Sequence, residues 1–169
     1  LRDGLLRYQP DNQHTIQYNK EKQSSQGMPA NTIYCLAQQK NGEIWIGTDQ
    51  GLYQYNLTSN SFSVFVNDPA DSGSLNDDVV FSLYEDRSGI LWLGTYFGGI
   101  NKLDPDESRF NRYSNFHKLF GLNKAANNVK SIAKENNTIW ICTNKGLMAF
   151  DEKAIDDKKA EATAARVFF

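Results

Sequence analysis

Short apolar runs of about five residues alternate with polar turns along the chain. In the clearest unit, residues 33–37 are apolar, Lys40-Asn41-Gly42-Glu43 form a polar break, and residues 44–48 are apolar again. Asn-Gly between two apolar runs is a strong signal for a tight hairpin. Residues 87–89 and 135–137 supply Gly or Asn at the same place in the next two units, and both types tolerate the positive φ of such turns. The pattern predicts that strand a turns directly into strand b.

Strand b is apolar at consecutive positions, which indicates that both of its faces are covered.

Two more strands, c and d, are predicted in each unit. Strand c is predicted at residues 4–8, 51–56, 99–104 and 146–151. Strand d is predicted at residues 15–18, 62–66, 110–113 and 165–169. The chain therefore reads as half of a four-stranded unit followed by three whole units.

A tryptophan motif recurs within strand b. The copies Ile44-Trp45-Ile46-Gly47-Thr48, Leu91-Trp92-Leu93-Gly94-Thr95 and Ile139-Trp140-Ile141-Cys142-Thr143 place the tryptophans 47 and 48 residues apart. The glycines that follow keep the same period and reach one unit further back: Gly4, Gly51, Gly99 and Gly146. A period of 40 to 50 residues is typical of a β-propeller or a solenoid. We expect the tryptophans to pack between blades, and the threonines to hydrogen-bond within their blade.

The predicted fold class is all-β, with four-stranded antiparallel blades making about three and a half blades of a seven-bladed propeller. The expected boundaries are a half blade at residues 1–27, blades at residues 28–74 and 75–122, and a diverged blade at residues 123–169. Helical repeats of similar period are excluded because no 3.6-residue apolar periodicity runs inside the units. Residues 115–126 and 151–162 could be helical, but a loop packed on a blade edge and a solvated connection are the favoured interpretations.

Composition narrows the class of partner. The net charge of −2 comes from nearly balanced acids and bases, which argues against a nucleic-acid-binding surface. No apolar run approaches the eighteen or so residues of a membrane helix, and the first residues lack the basic-then-apolar pattern of a signal peptide.

Cys35 and Cys142 lie in apolar strands, where we expect buried free thiols rather than a disulfide or a metal site.

At these residues the chain resembles the two-component regulator propeller repeat. The segment Asn76-Asp77-Asp78-Val79-Val80-Phe81-Ser82-Leu83-Tyr84-Glu85-Asp86-Arg87-Ser88-Gly89-Ile90-Leu91-Trp92-Leu93-Gly94-Thr95 follows the family pattern almost end to end. Residues 67–75 resemble the linker that precedes such repeats. The chain departs from the pattern at Cys142, which replaces the motif glycine, at the extra Gly98, and in a last repeat without the acidic-then-glycine turn.

The resemblance implies a periplasmic sensor region of an inner-membrane hybrid two-component protein, in which propellers precede a β-sandwich, a membrane helix, a histidine kinase and a response regulator. It implies oligosaccharides from polysaccharide breakdown as signals and a dimeric sensor. No kinase or receiver sequence is present, so this segment could sense but could not phosphorylate. Because the chain starts inside a repeat, we expect the remaining blades to belong to a parent chain. Two copies of three and a half blades sum to seven, so a pseudo-ring homodimer is another expectation, and an isolated copy should not be a well-behaved monomer.

Propeller geometry places the d-to-a loops and b-to-c turns on one face, where binding residues are usually found. Paired aromatics in a tight turn are unusual; they could stack on a sugar ring, or fill a seam and cap the channel. Polar turn residues could bind sugar hydroxyls or acidic groups, although Asp and Asn also form turns. The candidate ligand-binding residues are Arg2, Asp49, Gln50, Asp78, Tyr96, Phe97, Asn144 and Lys145.

Two other function classes remain as alternatives. A protein-interaction scaffold would use the same loop face. A propeller lyase or glycosidase needs facing carboxylates, and Asp49, Asp77 and Asp78 share that face without apolar surroundings that would raise a pKa. His14 and His117 have no evident partner, and no phosphate loop, metal cluster or nucleophile elbow is present. The sequence therefore predicts no catalytic residue, no metal and no cofactor.

Overall fold

The computed structural model describes residues 4–19, 28, 32–104, 107, 109–113 and 128–153, and the backbone of residues 166–168. These residues form strands β1 (Leu5–Gln9), β2 (His14–Tyr18), β3 (Ile33–Gln38), β4 (Ile44–Thr48), β5 (Leu52–Asn56), β6 (Ser61–Phe65), β7 (Val80–Glu85), β8 (Leu91–Thr95), β9 (Ile100–Leu103), β10 (Phe110–Tyr113), β11 (Val129–Glu135), β12 (Thr138–Thr143), β13 (Gly146–Asp151) and β14 (Arg166–Phe168). The predicted strands all appear, most of them within one residue of the expected ends.

The strands build one two-stranded and three four-stranded antiparallel sheets. The orders are β1-β2, β3-β4-β5-β6, β7-β8-β9-β10 and β11-β12-β13-β14, so each sheet follows chain order from strand a to strand d. The a strands of neighbouring sheets lie beside one another, β3 against β7 and β7 against β11. This is the arrangement of propeller blades, whose first strands line the inner edge. The prediction of an all-β fold of four-stranded blades is confirmed. We call the four-stranded sheets the first, middle and last blade.

Positive-φ residues make the tight turns between strands a and b. Gly42 has φ +89°, Gly89 has φ +86° and Asn136 has φ +53°, as the Gly and Asn residues in these turns predicted. The recurring glycine before strand c has the same property, and Gly51 has φ +117°. A Cβ at Gly51 would lie 2.6 Å from the carbonyl oxygen of Phe65 at the end of strand d. The glycine before strand c therefore recurs because its turn has a positive φ and leaves no room for a side chain.

Apolar side chains fill the seams between successive sheets. The first seam holds Tyr18, Ile46 and Tyr53. The second joins Trp45 of the first blade to apolar residues of the middle blade such as Val80. The third joins Trp92 of the middle blade to apolar residues of the last blade. The core is therefore a series of layers between blades, which explains why strand b is apolar at consecutive positions.

The prediction for the tryptophans is confirmed at two of the three positions. Trp45 and Trp92 are 3% and 0% exposed and lie in seams. Trp140 is only half-buried, because Ile139 and Ile141 face the third seam and alternation turns Trp140 to the other side of its sheet. The expectation of a buried Cys142 is wrong for the same reason: its free thiol is exposed.

The segment before the middle blade folds back on strand β10. The guanidinium of Arg112 donates hydrogen bonds to the carbonyl oxygen of Ser74, at 2.7 Å, and to that of Asp71. Leu75 is fully buried, and it bridges Asn67 in parallel. Residues 67–75 are thus a packed loop. The predictions for residues 115–126 and for His117 lie outside the described residues, as does the prediction for residues 151–162 beyond residue 153.

Candidate ligand-binding face

Backbone hydrogen bonds join the b-to-c turns to the loops that precede strand a. Gly51 N–H donates to the carbonyl oxygen of Asp78 at 2.7 Å, and Tyr96 N–H donates to that of Val79 at 3.0 Å. Both kinds of loop therefore lie at one end of the blades, as predicted. The motif threonine closes each turn: Thr48 Oγ1 donates to the carbonyl oxygen of Gly51 at 2.8 Å, and Thr95 and Thr143 repeat the bond. The expectation that these threonines bond within their blade is confirmed.

The turn that carries Tyr96 and Phe97 is held from the neighbouring loop. Phe97 N–H donates to Asp77 Oδ2 at 2.9 Å, and Val79 N–H donates to the other oxygen of the same carboxylate at 2.9 Å. Asn76 Nδ2 donates to the carbonyl oxygen of Gly98 at 2.7 Å. A Cβ at Gly98 would collide with the Asn76 side chain, which explains the extra glycine of this turn. The two rings therefore stand on a fixed backbone.

Four aromatic side chains form a continuous cluster at this end. Tyr96 and Phe97 have ring centroids 4.0 Å apart, Phe81 and Tyr96 5.4 Å, and Tyr34 and Phe81 4.6 Å. The last two contacts are edge-to-face, the arrangement that aromatic quadrupoles favour. Phe97 is 61% exposed and Tyr34 is 42% exposed. Large apolar rings that stay in solvent on a rigid support are candidate binding surface.

Three members of the site were missed from the sequence because they lie at β-bulges. Strand a has a register shift between Ile33 and Cys35 in the first blade, and the same shift recurs in the middle and last blades. The bulged residues are Tyr34, Phe81 and Lys130. A bulge leaves its residue unpaired and re-aims the side chain. The signal that could have found these residues is their spacing of 47 and 49, close to the tryptophan period.

Each four-stranded blade thus contributes a bulged residue and a two-residue turn to one face. We call this surface the triad face, formed by Tyr34, Asp49 and Gln50 of the first blade, Phe81, Tyr96 and Phe97 of the middle blade, and Lys130, Asn144 and Lys145 of the last blade. Its character changes from mixed polar, through aromatic, to basic and polar. The blade order therefore sets a chemical gradient around the inner edge.

The other predicted site residues differ in their exposure and contacts. Gln50, Asn144 and Lys145 are exposed on the triad face. Asp49 is half-buried, and among the described residues its Oδ1 has no hydrogen-bond partner. Asp78 has a structural task, since its Oδ1 accepts the N–H of Asn67 at 2.6 Å.

The last predicted site residue, Arg2, lies outside the described residues.

A polar pocket lies between the middle and last blades, at the end opposite the triad face. Its volume is about 340 Å³. Lys134 Nζ lies 2.7 Å from Asp86 Oδ2 and 2.8 Å from Glu152 Oε2, and the Trp92 indole N–H donates to Asp86 at 3.1 Å. Burial alone would raise the pKa of Asp86, but the hydrogen bonds from Lys134 and Trp92 outweigh burial and lower it. Desolvation alone would lower the pKa of Lys134, but its hydrogen bonds to Asp86 and Glu152 outweigh desolvation and raise it.

The charges of Asp86, Lys134 and Glu152 join the middle blade to the last blade. Glycoside hydrolysis needs one carboxyl group that stays protonated near neutral pH. Asp86 does not meet this requirement, because its pKa is lowered. Asp86 and Glu152 both contact the ammonium of Lys134. Within the described ranges, no three His, Cys, Asp or Glu side chains converge as metal ligands. Nor does that part of the chain contain a helix with the length and hydropathy to cross a bilayer.

Comparison with known proteins agrees with this architecture. Residues 27–50 and 74–97 match the family model described as two-component regulator propeller. No curated protein matches.

Solved structures extend the likeness to the whole chain. One is an extracellular domain described as part of a hybrid two-component system from B. thetaiotaomicron, with 26% identity and a TM-score of 0.81 over 99% of this chain. Another, from the same organism and described as belonging to a one-component system, has 24% identity and a TM-score of 0.71 over 99% of this chain. The chain spans 22% and 20% of those two structures. The chain thus resembles part of the extracellular domain of a bacterial hybrid two-component system.

Proposed function

We propose that this chain, which carries two-component regulator propeller repeats, is part of the ligand-sensing region of a hybrid two-component sensor, and that its ligands are oligosaccharides released from polysaccharides. The observation that supports the proposal most directly is the exposed aromatic cluster on the triad face. Four rings from two blades form one surface there, next to polar turns. No catalytic role is proposed for the segment.

The triad face has the chemistry that sugars require. The C–H face of a pyranose packs on an aromatic ring, while its hydroxyl groups need hydrogen-bond partners. Phe97 offers a ring that is 61% exposed, and Tyr96 is half-buried against Phe81, so the platform is held in place before a ligand arrives. Gln50 and Asn144 present exposed amides on the neighbouring blades. A rigid platform lowers the entropic cost of binding.

The setting of the chain is part of the same proposal. The structural relatives are extracellular domains, which favours a periplasmic position for this segment in an inner-membrane protein with a histidine kinase. The partners we propose are the remaining blades of the parent chain and a second copy in a homodimer. The triad face would bind the oligosaccharide, and nucleic acid would not be contacted.

Isothermal titration calorimetry of the parent ectodomain against a panel of glycan fragments tests the proposal. We expect heat from at least one fragment and a loss of about tenfold or more in affinity for Phe97→Ala, since stacking on an aromatic ring contributes on the order of 1 kcal/mol or more. Tyr8→Ala is the matched control, because Tyr8 is another exposed aromatic, 59% exposed, on strand β1.

The same experiment separates the alternatives. No heat with any oligosaccharide contradicts the sensor proposal, and a protein partner captured by the triad face would then support an interaction scaffold. Shortened sugar products in the titration cell would instead support a lyase or glycosidase.

A further inference from the structure

The bulged residue of the last blade carries a positive charge over the aromatic cluster. Lys130 Nζ lies 3.8 Å from the ring centroid of Phe81 and 5.7 Å from that of Tyr96. Lys130 is exposed, so the stacked ammonium keeps one side in solvent. A cation over an aromatic face is attracted by the ring quadrupole. These two rings therefore restrict where a flexible lysine places its charge.

Among the residues that the structure describes, no carboxylate lies within ion-pair distance of the Lys130 ammonium. The nearby acids of the loop before strand β7 face backbone donors: Asp77 accepts from Phe97 and Val79, and Asp78 accepts from Asn67. Aromatic rings offer no strong hydrogen-bond acceptor, and no described residue accepts a hydrogen bond from the ammonium, so its N–H donors on the solvent side are available to a ligand.

We propose that Lys130 forms the anion subsite of the triad face and that the ligand is an acidic sugar, carrying a carboxylate or a sulfate ester. This inference rests on the proposed function, since it assigns the sugar class to the same site. The pyranose ring would pack on Phe97 and Tyr96, and the anionic substituent would accept hydrogen bonds from the Lys130 ammonium. Lys145, exposed on the b-to-c turn of the same blade, adds a second positive charge at that side of the face.

The physical argument is one of preorganisation. A free surface lysine loses rotamer freedom when it pairs with an anion, and that cost cancels much of the attraction. Here the contacts with Phe81 and Tyr96 already restrain the side chain. A charge-assisted hydrogen bond from a restrained ammonium should therefore raise affinity for the charged sugar over its neutral counterpart by about ten- to a hundredfold.

The test compares three ligands of one sugar type on the parent ectodomain: trimers of galacturonic acid, of sulfated galactose and of neutral galactose. The variant is Lys130→Met, which keeps an unbranched side chain of similar length and removes the charge. Lys153→Met is the matched control, because Lys153 is exposed two residues after the end of strand β13, away from the triad face. We expect the acidic trimers to bind about ten- to a hundredfold more tightly than the neutral one.

In Lys130→Met that preference should disappear, while binding of the neutral trimer changes less than about twofold; Lys153→Met should keep the preference. The acidic trimer that loses more affinity identifies carboxylate or sulfate as the recognised group. Neutral binding equal to acidic binding in the native protein, or a preference that survives Lys130→Met, overturns the inference but leaves the sensor proposal standing. Absence of binding by every glycan in the wider panel, with the protein folded by circular dichroism, would contradict both.

Discussion

Strands β8 and β12 carry the same motif and differ in how much of it is buried. All five residues of β8, in the middle blade, are buried. In β12, of the last blade, Ile139, Ile141 and Thr143 are buried, while Trp140 is half-buried and Cys142 is exposed. The middle blade packs against a sheet on each side, whereas the described sheets cover only one side of the last blade. Burial in this fold therefore depends on the neighbours of a blade more than on its own sequence.

The motif glycine shows the same difference at one position. A Cβ at Gly94 would lie 2.5 Å from Cγ1 of Val129, and a Cβ at Gly47 would lie 2.7 Å from the carbonyl oxygen of Val80. In both cases strand a of the following blade approaches too closely for a side chain. The last copy has Cys142, whose side chain is exposed. The substitution is thus accommodated where the described residues place no further strand.

The largest effect expected from this comparison is on the tryptophans. Trp92→Ala removes a fully buried side chain from the third seam and should lower the free energy of unfolding by about 3–5 kcal/mol. Trp140→Ala removes a half-buried ring and should cost about 1–2 kcal/mol. Urea denaturation followed by circular dichroism measures both. Equal losses of unfolding free energy would show that Trp92 and Trp140 are equally buried in solution, and would contradict the placement of only Trp92 in a seam.

Alanine at the motif glycine of strand β8 and at the equivalent position of β12 compares the two blades again, with a smaller expected loss of stability. Gly94→Ala forces its Cβ against Val129 and should destabilise the protein by about 2 kcal/mol, the usual cost of overpacking. Cys142→Ala, at the equivalent exposed position, should change stability by less than about 0.5 kcal/mol. The same denaturation assay applies. A neutral Gly94→Ala would mean that the strands separate at little cost, and the close-approach argument would fail.

The charged link between the middle and last blades should depend on pH. The pKa of Asp86 is lowered in the folded state, so its stabilising contribution is present above its ordinary pKa, about 3.9, and is lost as the pH falls through the lower folded value. Asp86→Asn should cost about 1–2 kcal/mol at pH 7 and progressively less below about pH 4. Glu135→Gln, exposed on strand β11, is the control. A cost that does not change between pH 7 and pH 3 would exclude the ion pair as its cause.

Thiol labelling of the native protein compares the buried and exposed positions without a substitution. Burial raises the pKa of the Cys35 thiol to about 12, and its Sγ contacts the carbonyl oxygen of Val80 in the second seam. Cys142 is exposed and should react first with a maleimide in the native protein, as read by mass spectrometry of tryptic peptides. Labelling of both thiols at the same rate would indicate that the second seam opens freely.

The sequence was sufficient for the fold because the propeller repeats its local rules. Each turn glycine, each motif threonine and each apolar strand b recurs, so one well-marked unit predicts the others. The burial of Trp140 and Cys142 could not be predicted that way, since it depends on which sheet lies alongside. Repetition fixes the unit but says nothing about its neighbours.

The candidate site was only partly predictable. Tyr96 and Phe97 stood out as apolar residues in a turn. The charge of Asp78 makes it a candidate in the sequence, but its carboxylate accepts a hydrogen bond from a backbone amide. Tyr34, Phe81 and Lys130 looked like ordinary strand residues, because a β-bulge depends on the pairing of two strands and has no composition of its own.

The recurring bulge also bears on how such a surface can evolve. A bulged residue has no partner in the strand register, and at Tyr34 and Lys130 its side chain is exposed, so its replacement should disturb neither the sheet nor the seams. Mutational tolerance is then concentrated at one position per blade, on the side where the inner strands meet. Selection could exchange a ring for a cation there, as the step from Phe81 to Lys130 illustrates, and diversify recognition while the scaffold stays constant.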